Sequence, residues 1–266
     1  MAISPTTTRS SETVLITGAS SGLGLSFARY FAQNGYSIVM VANDKAKLEA
    51  AKDTIPRQPG VKITTISQDL SQLHAANELY KKIQKQHIQI HILINNAGFG
   101  TSGAFINTDY TKEQDEMMLN MVTLSLLTKL FLKDMVERDK GRILNISSIA
   151  SMAPGPYMAV YYATKAYVLH LSEALSEELK GTSVTVSVFC PGPTSTNFAS
   201  VAGVEKSTLF SRKLPTADTA VATAIKGLFK EKRVIFDTTK NHIGATISKF
   251  IPRSVLLHFI AKINKK

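Results

Sequence analysis

Short apolar runs rich in β-branched residues alternate with longer segments of helical periodicity along most of the chain. The apolar runs predict strands at 13–17, 36–42, 61–67, 91–95, 142–147, 183–189 and 234–236. The periodic segments predict helices at 22–34, 44–54, 71–86, 111–138, 160–179 and 216–230. Apolar strands that are each followed by a long crossover are typical of a parallel sheet with helices on both faces. We therefore predict an α/β fold with a doubly wound parallel sheet of the Rossmann type.

No linker, repeat or low-complexity run divides the chain, so we predict a single domain at 12–240. A disordered polar tail at 1–11 is expected before it, and a basic, apolar segment at 241–266 after it. Residues 193–215 are irregular and contain Ser, Thr and Gly, which predicts a mobile flap within the domain. The tail lacks the apolar stretch of a secretory signal, and no continuous apolar run is long enough for a membrane span. The expected location is the cytoplasm.

Composition and charge exclude several classes of protein. Of 266 residues, 44% are hydrophobic and 19% are charged, as in ordinary globular domains. The single cysteine, Cys190, indicates a reducing compartment and a buried thiol rather than a disulfide or a metal cluster. Residues 201–266 hold 13 Lys and Arg against four acids, which is +9 of the net charge of +11. Because these cations lack interleaved aromatic residues and any known DNA-binding spacing, no nucleic-acid partner is expected.

A glycine-rich turn joins the first predicted strand to the first predicted helix. Its residues are Gly18, Ser20, Ser21, Gly22, Leu23 and Gly24. Glycines permit a tight turn and the close approach of a pyrophosphate, whose charge meets the backbone N–H groups at the helix N-terminus. The spacing departs from G-x-G-x-x-G, and no Walker lysine follows. The turn therefore favours a dinucleotide over a nucleoside triphosphate.

A second motif indicates acid–base chemistry. Tyr161 and Lys165 stand one helical turn apart, so the ammonium can lie near the phenol and lower its pKa from about 10 toward neutrality. The tyrosine then becomes usable as a general acid and base. Ser148 follows an adjacent strand at the carboxyl edge of the sheet, where it can hydrogen-bond a substrate oxygen.

The motifs resemble, in order and spacing, those of the short-chain dehydrogenase/reductase family over nearly the full chain. After the glycine turn come Asn95-Asn96-Ala97-Gly98, Asn120, Ser148, Tyr161-x-x-x-Lys165 and Pro191-Gly192-x-x-x-Thr196. The resemblance implies an NAD(P)-dependent oxidoreductase that interconverts a carbonyl and a secondary alcohol, with Asn120 in a proton relay. Tyr162 and Ser147 are weaker candidates, because neither has a partner at the family's distance of 13 residues.

A catalytically silent dinucleotide sensor or scaffold on the same fold is the alternative function. Such a protein would be expected to have lost Ser148, Tyr161 or Lys165, and all three are present. We therefore favour the enzyme.

The resemblance also implies the cofactor site. Asp69 matches a residue that contacts the adenine amine, and Asn96 and Ala97 match residues beside the adenosine ribose. Thr194 and Thr196 match the loop that holds the nicotinamide amide. The complete implied set is Gly18, Ser20, Ser21, Gly22, Leu23, Gly24, Asn43, Asp69, Leu70, Asn96, Ala97, Gly98, Tyr161, Lys165, Pro191, Gly192, Thr194 and Thr196. No metal is expected.

The end of the second strand bears on the choice between NADP and NAD. Ala42 stands where NAD-specific members place an acid, and Asn43 stands where NADP users often carry Arg. Asp44 would repel a 2′-phosphate if it turned inward, whereas Lys45 or Lys47 can reach one from the helix start. We favour NADP, because the missing acid costs an NAD enzyme more specificity than the missing arginine costs an enzyme with other cations nearby.

Apolar side chains in the loops above the strand ends predict an apolar carbonyl or alcohol as the substrate. The candidates, each of which could equally belong to the core, are Phe99, Met152, Tyr157, Met158 and Phe198. Residues 159–168, with the segments after Glu178 and Cys190, are most similar to the bacterial subgroup labelled by its D-alanyl-lipoteichoic-acid operon reductase. That label carries no substrate.

The C-terminal segment at 241–266 combines cations with an apolar stripe that Pro252 interrupts. The stripe contains Ile247, Phe250, Ile251, Val255, Leu256, Phe259, Ile260 and Ile263. It can pack on a second copy of the chain, close over the substrate or lie weakly on the inner membrane surface. We expect a homo-oligomer and favour packing against protein over membrane contact.

Overall fold

The computed structural model describes residues 12–56, 58–205, 207, 210 and 214–265. The predicted tail at 1–11 and part of the predicted flap lie outside these residues. In the described part of the chain, seven parallel strands form one sheet in the order β3-β2-β1-β4-β5-β6-β7. They are β1 (Thr13–Thr17), β2 (Ser37–Ala42), β3 (Ile63–Ser67), β4 (Ile92–Asn95), β5 (Gly141–Ile146), β6 (Val184–Cys190) and β7 (Val234–Phe236). The doubly wound parallel sheet is confirmed.

Helices cover both faces of the sheet. They are α1 (Gly22–Gln33), α2 (Lys45–Asp53), α3 (Ala75–Lys85), α4 (Tyr110–Met117), α5 (Leu124–Glu137), α6 (Ala159–Glu178), α7 (Phe198–Ala202), α8 (Ala217–Phe229), α9 (Thr239–Ser248) and α10 (Arg253–Asn264). Alternation along β1 fills two cores, since Val14 and Ile16 pack with α1 and α8 while Leu15 packs with α3 and α5. No described helix is long and apolar enough to cross a membrane.

Two predicted helices differ from the observed ones for local reasons. The helix predicted at 111–138 is divided into α4 and α5 by a π-helical turn at Met118–Thr123, which contains Asn120. The helix predicted from residue 71 begins only at Ala75, because Asp69 accepts hydrogen bonds from the Ser71 amide and hydroxyl at 2.9 and 2.7 Å. The left-handed backbone of His74, at φ 71°, then precedes α3.

The carboxyl ends of β1, β4, β5 and β6 lie along one edge of the sheet, and the loops that follow them meet there. The strand order reverses between β1 and β4, which is where open α/β sheets form ligand crevices. At the end of β7, the Asp237 carboxylate accepts hydrogen bonds from the Gly192 amide at 3.0 Å and the Asn241 amide group at 2.6 Å. The start of α9 is therefore joined to the loop that follows β6.

Candidate active site

A cavity of about 440 Å³ opens at this edge of the sheet. Every residue of the implied cofactor set lines it except Gly24, and so do Ser148, Tyr161 and Lys165. Gly24 and Asn120 do not line the cavity. The sequence motifs are thus brought together in space, although they come from loops and helices spread over the chain between residues 18 and 196.

The glycine turn is held rigidly against the end of β4. The Asn96 side-chain amide donates to the carbonyls of Thr17 and Gly18 at 2.9 and 3.2 Å, and the Thr17 hydroxyl accepts from the Asn96 and Ala97 amides at 3.0 Å each. Gly18 has a φ of +65°, and a β-carbon there would lie 2.9 Å from the Ala97 α-carbon. Only glycine fits this close approach.

The N-terminus of α1 faces the cavity, and no side chain of the helix caps its first backbone amides or offsets their positive charge. Ser21, at the N-cap, makes no side-chain capping bond, and the first turn contains no acidic residue. The leading amides of α1 are therefore available to an anion beside Gly22.

Three polar side chains converge at the other end of the cavity. The Ser148 hydroxyl lies within hydrogen-bonding reach of the Tyr161 hydroxyl and donates to the Pro191 carbonyl at 3.5 Å. Lys165 places its Nζ 5.8 Å from the centre of the Tyr161 ring and donates to the Ile146 carbonyl at 3.0 Å. Only 8% of Tyr161 and 6% of Lys165 remain exposed. Water therefore solvates the charged form of each side chain poorly.

The prediction that the pKa of Tyr161 falls toward neutrality is wrong for this arrangement. Burial raises the pKa of Tyr161 above its usual 10, and the hydrogen bond with Ser148 opposes only part of that rise. Burial also lowers the pKa of Lys165 to about 8. The physical reason is that desolvation disfavours the charged form of each group more than the neighbouring hydrogen bonds and charges favour it. Tyr161 is therefore protonated at neutral pH.

Asn120 holds the loop after β4 against α6. Its side-chain amide donates to the Phe99 carbonyl at 2.9 Å and to the Thr164 hydroxyl at 3.0 Å, and its Oδ1 accepts from the Phe99 amide at 3.3 Å. Because Asn120 lies in the π-helical turn, the break in the helix coincides with these contacts. Its part in a proton relay stays a prediction.

Ser147 and Tyr162, the two weaker candidates, form hydrogen bonds with other groups. The Ser147 hydroxyl is buried and donates to the Lys165 carbonyl at 2.8 Å. The Tyr162 hydroxyl donates to Oδ1 of Asn264, in α10, at 3.3 Å. These contacts support the choice of Ser148 and Tyr161.

At the end of β2, Ala42 and Asn43 line the cavity and Asp44 does not. The Asp44 carboxylate caps α2 by accepting from the Lys47 amide at 3.0 Å, and it pairs with the Lys47 ammonium at 3.1 Å. These hydrogen bonds lower the pKa of Asp44. Asp44 is thus turned toward its own helix, while Lys47 is held by it.

The substrate end of the cavity is apolar, but its lining differs in part from the prediction. Phe99, Met158 and Phe198 line it, whereas Met152 and Tyr157 do not. Met152 instead packs near Cys190, which is buried as expected. The lining residues that sequence reasoning missed include Tyr162, Val201, Phe210 and Asn264. Val201, Phe210 and Asn264 reach the cavity by long-range packing, for which the local sequence carries no signal.

Glu116 is a buried carboxylate that sequence reasoning also missed. It is fully buried in α4, one turn before Asn120, and neither of its oxygens has a hydrogen-bond partner of normal geometry. Burial raises the pKa of Glu116 to about 7, even though Thr101 and the positive charge of Lys165 both lower it. A signal existed, since Glu116 lies four residues before Asn120 on the inward face of the helix.

Replacing Glu116 by Gln is expected to make stability less dependent on pH. The wild-type carboxyl binds its proton more tightly folded than unfolded, so the protein loses stability as pH rises from 4.5 to about 7. The free energy of unfolding of the variant minus that of wild type should be roughly 3 kcal/mol larger at pH 8 than at pH 4. Urea titrations at several pH values measure this. The exposed Glu137→Gln is the control, and parallel pH profiles for Glu116→Gln and wild type would contradict the assignment.

Similarity to known proteins agrees with this geometry. A family model described as short chain dehydrogenase matches residues 12–206. The chain is similar to the ketoacyl reductase HetN of Nostoc sp., with 33% identity over 92% of this chain and 84% of the relative. It is also similar to the very-long-chain 3-oxoacyl-CoA reductase of Rattus norvegicus, with 32% identity over 97% of this chain and 81% of the relative.

A solved structure is also similar. A short-chain dehydrogenase from Sphingobium yanoikuyae in complex with NADPH has a TM-score of 0.81 and 32% identity, covering 90% of this chain and 91% of its own. The predicted family is confirmed. The two curated relatives are named as ketoacyl reductases, so the narrower bacterial subgroup stays a prediction.

Proposed function

The chain belongs to the short-chain dehydrogenase/reductase family, and from this premise we propose that it reduces a 3-oxo group on an apolar acyl chain to a secondary alcohol. The observation that carries the proposal is the convergence of Ser148, Tyr161 and Lys165 on one end of a cavity whose other end carries the glycine turn. Phe99, Phe198 and other apolar side chains surround that end, which suits an acyl chain better than a sugar. The names of the two curated relatives support the acyl class.

The residues at the glycine turn fit a nicotinamide dinucleotide. A β-carbon on Gly18 would lie 2.9 Å from the Ala97 backbone, and one on Gly22 would lie 3.3 Å from Thr196, so this wall stays open only with glycine. We infer that the turn holds the pyrophosphate, that Asp69, Leu70 and Ala97 hold the adenosine, and that Thr194 and Thr196 hold the amide. When bound, the nicotinamide supplies the hydride.

We favour NADPH over NADH. No acid lines the end of β2, where Ala42 and Asn43 face the cavity, so nothing there repels a 2′-phosphate or binds both ribose hydroxyls. Lys45 stands at the start of α2, where it raises the local positive potential, whereas the charge of Lys47 is paired with Asp44. The NADPH complex of the similar Sphingobium protein supports the same choice.

The protein's own groups suit the reductive direction. Ser148 binds the substrate carbonyl oxygen, and Tyr161 donates its proton to that oxygen as negative charge develops. Because burial raises the pKa of Tyr161, the phenol keeps this proton at neutral pH until it is needed. The Lys165 ammonium then stabilises the phenolate. Asn120 holds the loop after β4, and we expect the proton that Tyr161 has lost to be replaced along this side of the site.

Other features support an assembly and a compartment. Exposed apolar side chains on α4, the π-helical turn, α5 and α6 form a surface that we propose joins copies of the chain, comprising Tyr110, Met117, Val122, Leu126 and Tyr167. We propose the cytoplasm as the compartment, in keeping with the buried free thiol of Cys190.

The function is tested with 3-oxoacyl thioesters of increasing chain length. We expect turnover with NADPH to exceed that with NADH, and kcat/KM to rise with chain length because each added methylene buries apolar area against the cavity. Nicotinamide absorbance follows the reaction, and a polar keto sugar is the control substrate. Turnover of the sugar with none of the thioesters reduced would overturn the acyl proposal.

A further inference from the structure

The outer side of α9 and α10 exposes large apolar side chains. Ile243 and Ile247 are 53% and 52% exposed, Phe250 82%, Val255 57% and Phe259 62%. Ile243 and Ile247 stand four residues apart on α9, as do Val255 and Phe259 on α10, so each helix presents a continuous stripe. These five residues are called the C-terminal surface.

The charged residues of the segment that carries the C-terminal surface are all basic. Lys240, Lys249, Arg253, Lys262 and Lys265 all lie on the same two helices and their connections, and the sequence from 238 to 265 contains no Asp or Glu. The preceding acid, Asp237, is occupied by the Gly192 and Asn241 groups at the end of β7. This segment of the chain therefore combines an apolar stripe with charges that are all positive.

Helix α10 is anchored at its C-terminal end. Asn264 is its one buried residue, and its side-chain amide donates to the Pro156 carbonyl at 3.1 Å while its Oδ1 accepts from the Tyr162 hydroxyl at 3.3 Å. Asn264 also lines the cavity. At 1.5 Å per residue, Phe259 and Val255 lie about 8 and 14 Å along the axis from that anchor. The C-terminal end of the helix is therefore held at the cavity, while its apolar residues Val255 and Phe259 are exposed.

We propose that the C-terminal surface docks the protein on an anionic lipid bilayer. Side chains such as Phe250 and Phe259 enter the interfacial region, and the flanking cations meet the lipid phosphates. Charge favours this occupant over a second copy, since pairing two such surfaces would bring together two segments that carry cations and no acid. A bilayer of anionic lipid complements both the apolar and the charged part.

A tryptophan probe tests the docking on the full chain. The protein contains no Trp, so Phe259→Trp reports its own surroundings without background. We expect its emission to shift to the blue with vesicles of mixed phosphatidylglycerol and phosphatidylcholine, and to stay unchanged with phosphatidylcholine alone. Phe105→Trp is the matched control, because Phe105 is 65% exposed and Phe259 is 62% exposed.

Co-sedimentation with the same vesicles separates the two contributions. Lys249→Gln with Arg253→Gln should lower the bound fraction at low salt by about tenfold or more, whereas Lys81→Gln with Lys85→Gln, on α3, should leave it unchanged. Phe250→Ser with Phe259→Ser should remove the binding that persists at high salt. Thermal unfolding midpoints close to wild type establish that the variants are folded.

Three outcomes would overturn the proposal. The first is wild-type protein that stays in the supernatant with anionic vesicles at low salt. The second is an equal loss of binding in the α3 variant, which would indicate unspecific charge attraction. The third is a blue shift of Trp emission in Phe259→Trp that grows with protein concentration in the absence of lipid, which would assign the surface to a second copy.

Discussion

Replacing Tyr161 by Phe is expected to lower kcat by about 10²–10⁴-fold while the dissociation constant of NADPH stays within a few fold, because only the phenolic proton is removed. The ring keeps its contact with Phe198, whose centre lies 5.1 Å away. Steady-state rates with a long 3-oxoacyl thioester give kcat, and quenching of NADPH fluorescence gives the dissociation constant. A parallel loss of cofactor affinity would instead indicate a damaged cavity.

A tyrosine on the same helix provides the control. Tyr167, in α6, lies outside the cavity, and its hydroxyl hydrogen-bonds the Ser125 hydroxyl at 2.9 Å. Tyr167→Phe removes the same hydroxyl group from α6 without touching the cavity lining. Near-normal turnover in Tyr161→Phe, together with lost turnover in Tyr162→Phe, would reverse the assignment of the proton donor.

Replacing Gly24 by Ala is expected to abolish cofactor binding, or to weaken it by about 10²-fold or more. The added β-carbon would lie 2.1 Å from the Gly18 carbonyl oxygen and 2.7 Å from the Asn96 side-chain nitrogen. A backbone oxygen cannot rotate away as a side-chain end can, so α1 and the glycine turn must separate. Overpacking of this kind also typically costs about 1–3 kcal/mol of stability.

Gly244→Ala is the control, because it introduces alanine into a helix at a position where the new β-carbon meets no other element. Gly244, in α9, has no atom from outside its own stretch of helix within 4 Å of its β-carbon position. Gly244→Ala should keep NADPH affinity and gain up to about 1 kcal/mol from helix propensity. Isothermal titration with NADPH and urea unfolding of both variants provide the comparison. Equal cofactor affinity in the two variants would contradict the close approach at Gly24.

The parts of the fold that depend on local pattern were predictable. β1 and β7 have their predicted bounds, because each is a short β-branched run with strong boundaries. The glycine turn was predictable from Gly18, Gly22 and Gly24, since a strand before it and a helix after it leave little conformational choice. Chemistry that is carried by neighbouring residues on one helix, such as Tyr161 and Lys165, was likewise visible.

Features that depend on distant contacts were not predictable in the same way. Apolar periodicity does not distinguish an α-helical turn from the π-helical turn at Asn120, because the contacts that accompany it come from Phe99 and Thr164. The pKa of Tyr161 is governed by burial, which spacing alone does not report. Asn264 lies more than a hundred residues from Tyr162 in sequence, and only the folded chain brings them together.

The hydrogen bonds that Asp237 accepts from Gly192 and Asn241 tie the C-terminal region to the cavity wall. A β-carbon on Gly192 would lie 2.4 Å from the Asn241 side-chain nitrogen, so the loop and the helix fit each other closely. A truncation that removes α9 would therefore remove contacts that hold the loop after β6, which is part of the cavity wall. A cut between α9 and α10 would keep these hydrogen bonds but remove Asn264, which also lines the cavity and accepts from the Tyr162 hydroxyl. Both C-terminal helices therefore support the cavity, and neither can be exchanged without changing it.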